Sequence, residues 1–126
     1  GLDRDEMVMH FVEQKRQNYL NQPPMSLATW ALQVNKLEAL SQKITDRGGQ
    51  VLLLRMPTDK GHWQLDEQYY PKSSYWDVIQ GLEGLQSIHF NDYPLLSNFE
   101  LPDSSHLDAK DAPVFTTALL NVIENL

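Results

Sequence analysis

The sequence predicts an α/β fold. Three observations carry that prediction. Val51-Leu52-Leu53-Leu54 is an unbroken apolar run, as expected of a strand buried on both faces of a parallel sheet. Ser87-Ile88-His89-Phe90-Asn91 reads as a second strand, and a short helical segment lies between the two. Strand, crossover helix and parallel strand make a right-handed βαβ unit. The full order is helix, helix, strand, helix, strand, helix, which belongs to the α/β class.

Residues 2–20 are mixed and charged, with Met7, Phe11, Val12 and Tyr19 as scattered apolar positions. They predict a helix that stops before Asn21-Gln22-Pro23-Pro24, where the Pro-Pro pair makes a rigid joint. The joint divides the chain into an N-terminal helical segment, 1–24, and an α/β domain, 25–126. The heptad pattern of the first segment is poor, so a solvated helix is preferred to a coiled coil. Ser26 is a good N-cap, and Trp30, Val34, Leu37, Leu40 or Ser41, and Ile44 follow at helical spacing over 26–47. Gly48-Gly49 ends that helix.

Residues 58–72 predict an irregular polar loop, of the length that often serves as a lid or binding loop. Ser74 and Asp77 have capping-box spacing and predict a short helix to about Gln80, closed near Gly81 or Gly84. The last helix starts near 108–111, with Pro113 in its first turn. Ala112, Phe115, Leu119, Val122 or Ile123, and Leu126 form its buried stripe. Two strands are few, since sheets usually have about 4 to 6. Together with Gly1 in place of an initiating Met, this points to a piece of a longer parent, or to a domain that leans on another. A sheet short of its first strands has an exposed edge, so the isolated chain is expected to self-associate as a homo-oligomer or to be poorly stable.

Composition narrows the function classes. At 126 residues, 41% hydrophobic and 21% charged, the chain can fold around one core and is not disordered. Net charge is -7, and no Lys/Arg cluster is longer than Lys15-Arg16, which argues against a nucleic-acid partner. The absence of cysteine excludes disulfides, thiolate metal sites and Cys nucleophiles, and leaves the compartment open. No apolar run reaches the ~18 residues of a membrane-spanning helix, and there is no signal-peptide pattern. A targeting segment or membrane anchor would belong to the parent. His10, His62, His89 and His106 are scattered without the spacing of a zinc site, so neither metal nor cofactor is expected. His89 reads as a packed side chain in its strand.

The segment Leu101-Pro102-Asp103-Ser104-Ser105-His106-Leu107-Asp108 carries the chemistry. Asp103 and His106 stand three residues apart in a polar loop just before a helix. A carboxylate there can accept from one ring nitrogen, fix the tautomer and leave the other nitrogen free as a general base. The plainer reading is a helix-capping Asp beside an exposed His. Ser104 and Ser105 are poor nucleophiles, because the loop lacks the strained elbow that presents a serine to its base.

This block, with Ala109, Ala112, Phe115-Thr116 and Leu119 in the helix that follows, resembles the SGNH (GDSL-type) hydrolase superfamily, most closely its extracytoplasmic acyltransferase-like members. The strand leading to Arg55-Met56-Pro57 is similar to the family's penultimate strand. The resemblance covers roughly the last 75 residues and implies the C-terminal half of a three-layer, flavodoxin-like sheet with flanking helices. It implies that Asp103 is the orienting carboxylate and His106 the base of a serine esterase or O-acyltransferase. The substrate would be a carbohydrate or an acylated cell-envelope component. The family's nucleophile lies in a Gly-Asp-Ser block, which does not occur here, so the serine is expected from the upstream portion of the same parent chain. Asn91-Asp92 follows the wrong strand to serve as the family's oxyanion block. The alternative is a non-catalytic α/β interaction or substrate-binding module that lacks a nucleophile.

Three further residues are candidates for substrate binding: Arg55, His62 and Trp63. Arg55 ends an apolar strand, where α/β folds bind ligands, and could hold an anionic or polar group or form a structural ion pair. His62 and Trp63, with Tyr69, Tyr70, Tyr75 and Trp76, could line an acyl or sugar pocket. A loop packed down by its own aromatics is the favoured reading of that cluster.

Overall fold

The computed structural model of the protein describes residues 3–126; Gly1 and Leu2, where the predicted N-terminal segment begins, lie outside the described residues. The fold is mixed α/β. Helix α1 (Arg4–Asn21) and helix α2 (Leu27–Thr45) precede strand β1 (Leu52–Arg55). Helices α3 (Lys60–Tyr69) and α4 (Lys72–Tyr75) and a 3-10 turn at Asp77–Ile79 lead to strand β2 (Gln86–His89). A second 3-10 turn (Phe90–Asp92), helix α5 (Pro94–Ser97) and helix α6 (Ala112–Glu124) complete the chain.

Among the described residues the sheet has two strands, paired in parallel with Leu52 opposite Gln86 and Arg55 opposite His89. The predicted second strand ends earlier than its apolar pattern, at His89. There the His89 ring nitrogen Nδ1 accepts from the Asn91 N–H and turns the backbone into a 3-10 turn.

The hydrophobic core lies where β2, α5 and α6 meet. Ile88, Phe90, Leu96, Phe115 and Val122 are its buried members, with Leu54, Trp63, Tyr93 and Leu119 packed around them. The stripe of α6 is thus buried at Phe115 and Val122, while its ends, Ala112 and Leu126, are exposed.

Helix α2 starts and stops as its sequence predicts. The Ser26 hydroxyl accepts from the Thr29 N–H, satisfying a donor that the first turn leaves free. At the other end Gly48 has φ +84°, and a side chain on Gly49 would strike the Ile44 methyl at 2.6 Å. Only the glycine pair lets the chain turn back so closely.

Two expectations are corrected. Residues 58–72 are not an irregular loop, because Lys60–Tyr69 is helix α3. The side chains α3 buries are His62, Leu65 and Asp66. They have helical spacing but two of the three are polar, so a hydrophobic template does not register them. The Ser74–Asp77 capping box also does not form. Helix α4 begins at Lys72 behind Pro71, and Asp77 instead takes the Lys72 ammonium at 2.7 Å.

Helix α1 buries none of its own residues fully, yet it is tied to the α/β body. The Arg4 guanidinium donates to the carbonyls of Pro102 and Leu101 at 2.9 and 3.0 Å. Tyr19 stacks on Tyr69 with ring centres 4.5 Å apart. The helices approach closely at Gly61, where an added side-chain carbon would lie 3.0 Å from Val12. No helix of the described residues is long and apolar enough to cross a membrane.

Candidate functional site

The loop between α5 and α6 holds Asp103 and His106 in one hydrogen-bonded turn. Asp103 Oδ1 accepts from the N–H groups of Ser105 (2.9 Å) and His106 (2.8 Å). Asp103 Oδ2 lies 2.8 Å from His106 Nδ1. Burial alone would raise the Asp103 carboxyl. The Ser105 N–H, then the side chain and N–H of His106, outweigh it and hold the carboxyl at about 2. An ionised Asp103 accepts the Nδ1–H of His106, which leaves Nε2 as the basic nitrogen. The His106 side chain is 81% exposed, so its free edge faces solvent.

Ser105 lies beside this pair, with its hydroxyl 3.0 Å from His106 Nδ1. That is the occupied side of the ring, and the same hydroxyl donates to Asp103 Oδ1 at 3.2 Å. Ser104 is fully buried. Its φ of +61° is unusual for a residue with a side chain, and turns its hydroxyl inward onto His62 Nδ1. The Ser104 carbonyl also accepts from the Asp59 N–H at 2.9 Å. These bonds pin the loop to the start of α3. Burial, and then the nearby Lys15 ammonium, push the His62 imidazole below its ordinary pKa. His62 shares a groove of about 290 Å³ with Phe11, Lys15, Asp103 and His106.

The other two candidates lie elsewhere. Arg55 and Trp63 line a cavity of about 260 Å³ with Trp30, Tyr75, Trp76 and His89. Arg55 forms the ion pair weighed for it: its Nη2 is 2.6 Å from Asp66 Oδ2. Trp63 packs edge-on against Phe90 and His89.

Asp66, between groove and cavity, has no signal in the sequence beyond its place in α3. It is buried, and pairs with Arg55 and with Lys15 of α1, also at 2.6 Å. It further accepts from the hydroxyls of Thr58 (3.0 Å) and Tyr19 (3.3 Å). Burial and the Asp66 charge push the Tyr19 phenol up to about 12. Among the described residues no group of three or more His, Cys, Asp or Glu is placed to hold a metal ion.

No protein-family model, no curated protein and no solved structure matches this chain.

Proposed function

We propose that the chain is the C-terminal part of an SGNH-like serine esterase or O-acyltransferase, and that it supplies the Asp103–His106 pair. One observation carries this reading: an ionised carboxylate 2.8 Å from His106 Nδ1, with the rest of the imidazole exposed. In this reading His106 Nε2 takes the proton of a serine hydroxyl as the oxygen attacks an ester carbonyl. It then returns that proton to the leaving alcohol, and a serine ester remains. Water or an acceptor hydroxyl, on a carbohydrate or cell-envelope molecule, completes the cycle. The serine and further strands of a flavodoxin-like sheet would come from the upstream portion of the parent, and β1 and β2 would belong to that sheet.

The test is His106→Ala in the intact parent. Ester hydrolysis should be abolished with the fold retained; near-normal turnover overturns the assignment.

A second reading is favoured by the two loop serines. Ser104 is buried and the Ser105 hydroxyl is already donated to Asp103, so neither serves as nucleophile. The chain alone would then be a binding module. The parent's coding sequence separates the readings: an apolar strand ending in Gly-Asp-Ser supports the enzyme, and its absence supports the module.

A further inference from the structure

The protein has three tryptophans, and all three line the same cavity, the one that holds Arg55. Tyr19, Tyr70 and Tyr75 add their rings to its wall. The tyrosine hydroxyls are already engaged: Tyr19 with Asp66, Tyr70 with the Met25 N–H, and Tyr75 with the Met25 carbonyl. What these residues offer a ligand is therefore ring surface.

The charges of the wall are spent within the chain. Arg55 is held by Asp66, and Lys72 by Asp77 and Asp92 at 2.7 and 3.0 Å. Glu67 accepts from the Lys72 N–H. Indole and imidazole donors are left without a partner. The Trp76 indole N–H is buried without a partner. His89 uses Nδ1 to accept from Asn91, so its proton sits on Nε2. Burial, then Lys72 and Arg55, push the His89 pKa down to about 4, so this donor is neutral at physiological pH.

Aromatic planes with neutral N–H donors suit a ligand that has an apolar C–H face and acceptor oxygens at its rim. A quaternary ammonium would also use the rings, but it cannot accept from an N–H and would leave those donors unpaired. An anion would find both cations already paired. The volume, about 260 Å³, lies just under the usual range for drug-sized ligands, which begins at about 300 Å³, and fits one ring rather than a chain. We propose that this cavity is a binding site for one ring of a neutral saccharide. The proposal stands on the cavity's own chemistry and holds whether or not Asp103 and His106 transfer acyl groups.

Because every tryptophan lines the cavity, intrinsic tryptophan fluorescence reports its occupancy directly. The chain would be titrated into the millimolar range with glucose, N-acetylglucosamine and maltose, and separately with choline chloride and inorganic phosphate. The expected result is a saturable change with at least one saccharide and none with choline or phosphate. Trp76→Phe, which keeps a ring and removes the N–H, should weaken that binding about fivefold. Saturation-transfer NMR of the same sugars on the unmodified chain makes the test independent of whether the variant folds. No saturable response to any of the three sugars, or saturation by choline or phosphate instead, overturns the proposal. The saccharide titration reads the cavity alone, and ester turnover of the parent reads the Asp103–His106 pair, so failure of the cavity and failure of the acyl-transfer reading are separately visible.

Discussion

The imidazole of His62 and the hydroxyl of Ser104 are bonded to each other inside the protein, joining helix α3 to the loop that carries Asp103 and His106. Ser104→Ala removes this link and leaves a buried ring nitrogen unpaired. We expect a loss of about 1–3 kcal/mol in urea unfolding, with local loosening of 101–106 seen by amide exchange. Unchanged exchange in that loop would show that the bond does not hold it.

Asp66 gathers Lys15, Arg55, Thr58 and Tyr19 around one carboxylate. Asp66→Ala should cost about 2–4 kcal/mol, since it leaves two half-buried cations without their anion. Double-mutant cycles with Lys15→Met and Arg55→Met would divide the loss between α1 and β1.

His89 and His62 set the acid limit of the fold. Both have folded pKa values below the ordinary 6.5, that of His89 at about 4. A group depressed on folding binds its proton more readily unfolded, so its contribution is present above pH 6.5 and lost as pH falls. For His89 the loss runs from about pH 6.5 to about 4 and amounts to roughly 2–3 kcal/mol. Asp103 adds a second loss at lower pH, between its ordinary 3.8 and about 2. Urea midpoints should therefore fall between pH 7 and 5, and fall less in His89→Gln.

Asp103→Asn preserves the shape of the loop and removes its charge. In the intact parent it should lower ester turnover by about 10³–10⁴-fold, the cost of an imidazole no longer held in the Nδ1–H form. Nitrogen NMR of His106 should show the tautomer change, and wild-type turnover in this variant would contradict the role given to Asp103.

Ile88 is fully buried at the centre of the core, whereas Leu52, on the partner strand, is 36% exposed. Ile88→Ala should cost about 2–5 kcal/mol and Leu52→Ala well under half of that, by denaturant unfolding.

The sequence made legible what is local. The Ser26 cap, the Gly48-Gly49 stop and the Pro113 start of α6 act within a few residues, and the α2 and α6 boundaries follow them. Asp103 and His106 are likewise close enough in sequence to meet through one turn. Helix α3 escaped because the face it buries carries His62 and Asp66, whose partners Ser104, Lys15 and Arg55 come from distant segments. Asp59, just ahead of α3, does not cap that helix; its carboxylate accepts from the Leu101 N–H instead.

The parallel pairing of β1 with β2 has a kinetic consequence. Parallel strands cannot close through a tight hairpin, so Leu54 meets Ile88 only after the stretch from Met56 to Leu85 has been folded between them. Helix α2, with its own cap and stop, can form in the time of a helix–coil transition. The core around Ile88 must wait for the slow closure of that long crossover, and the ground beneath His89 and the aromatic cavity waits with it.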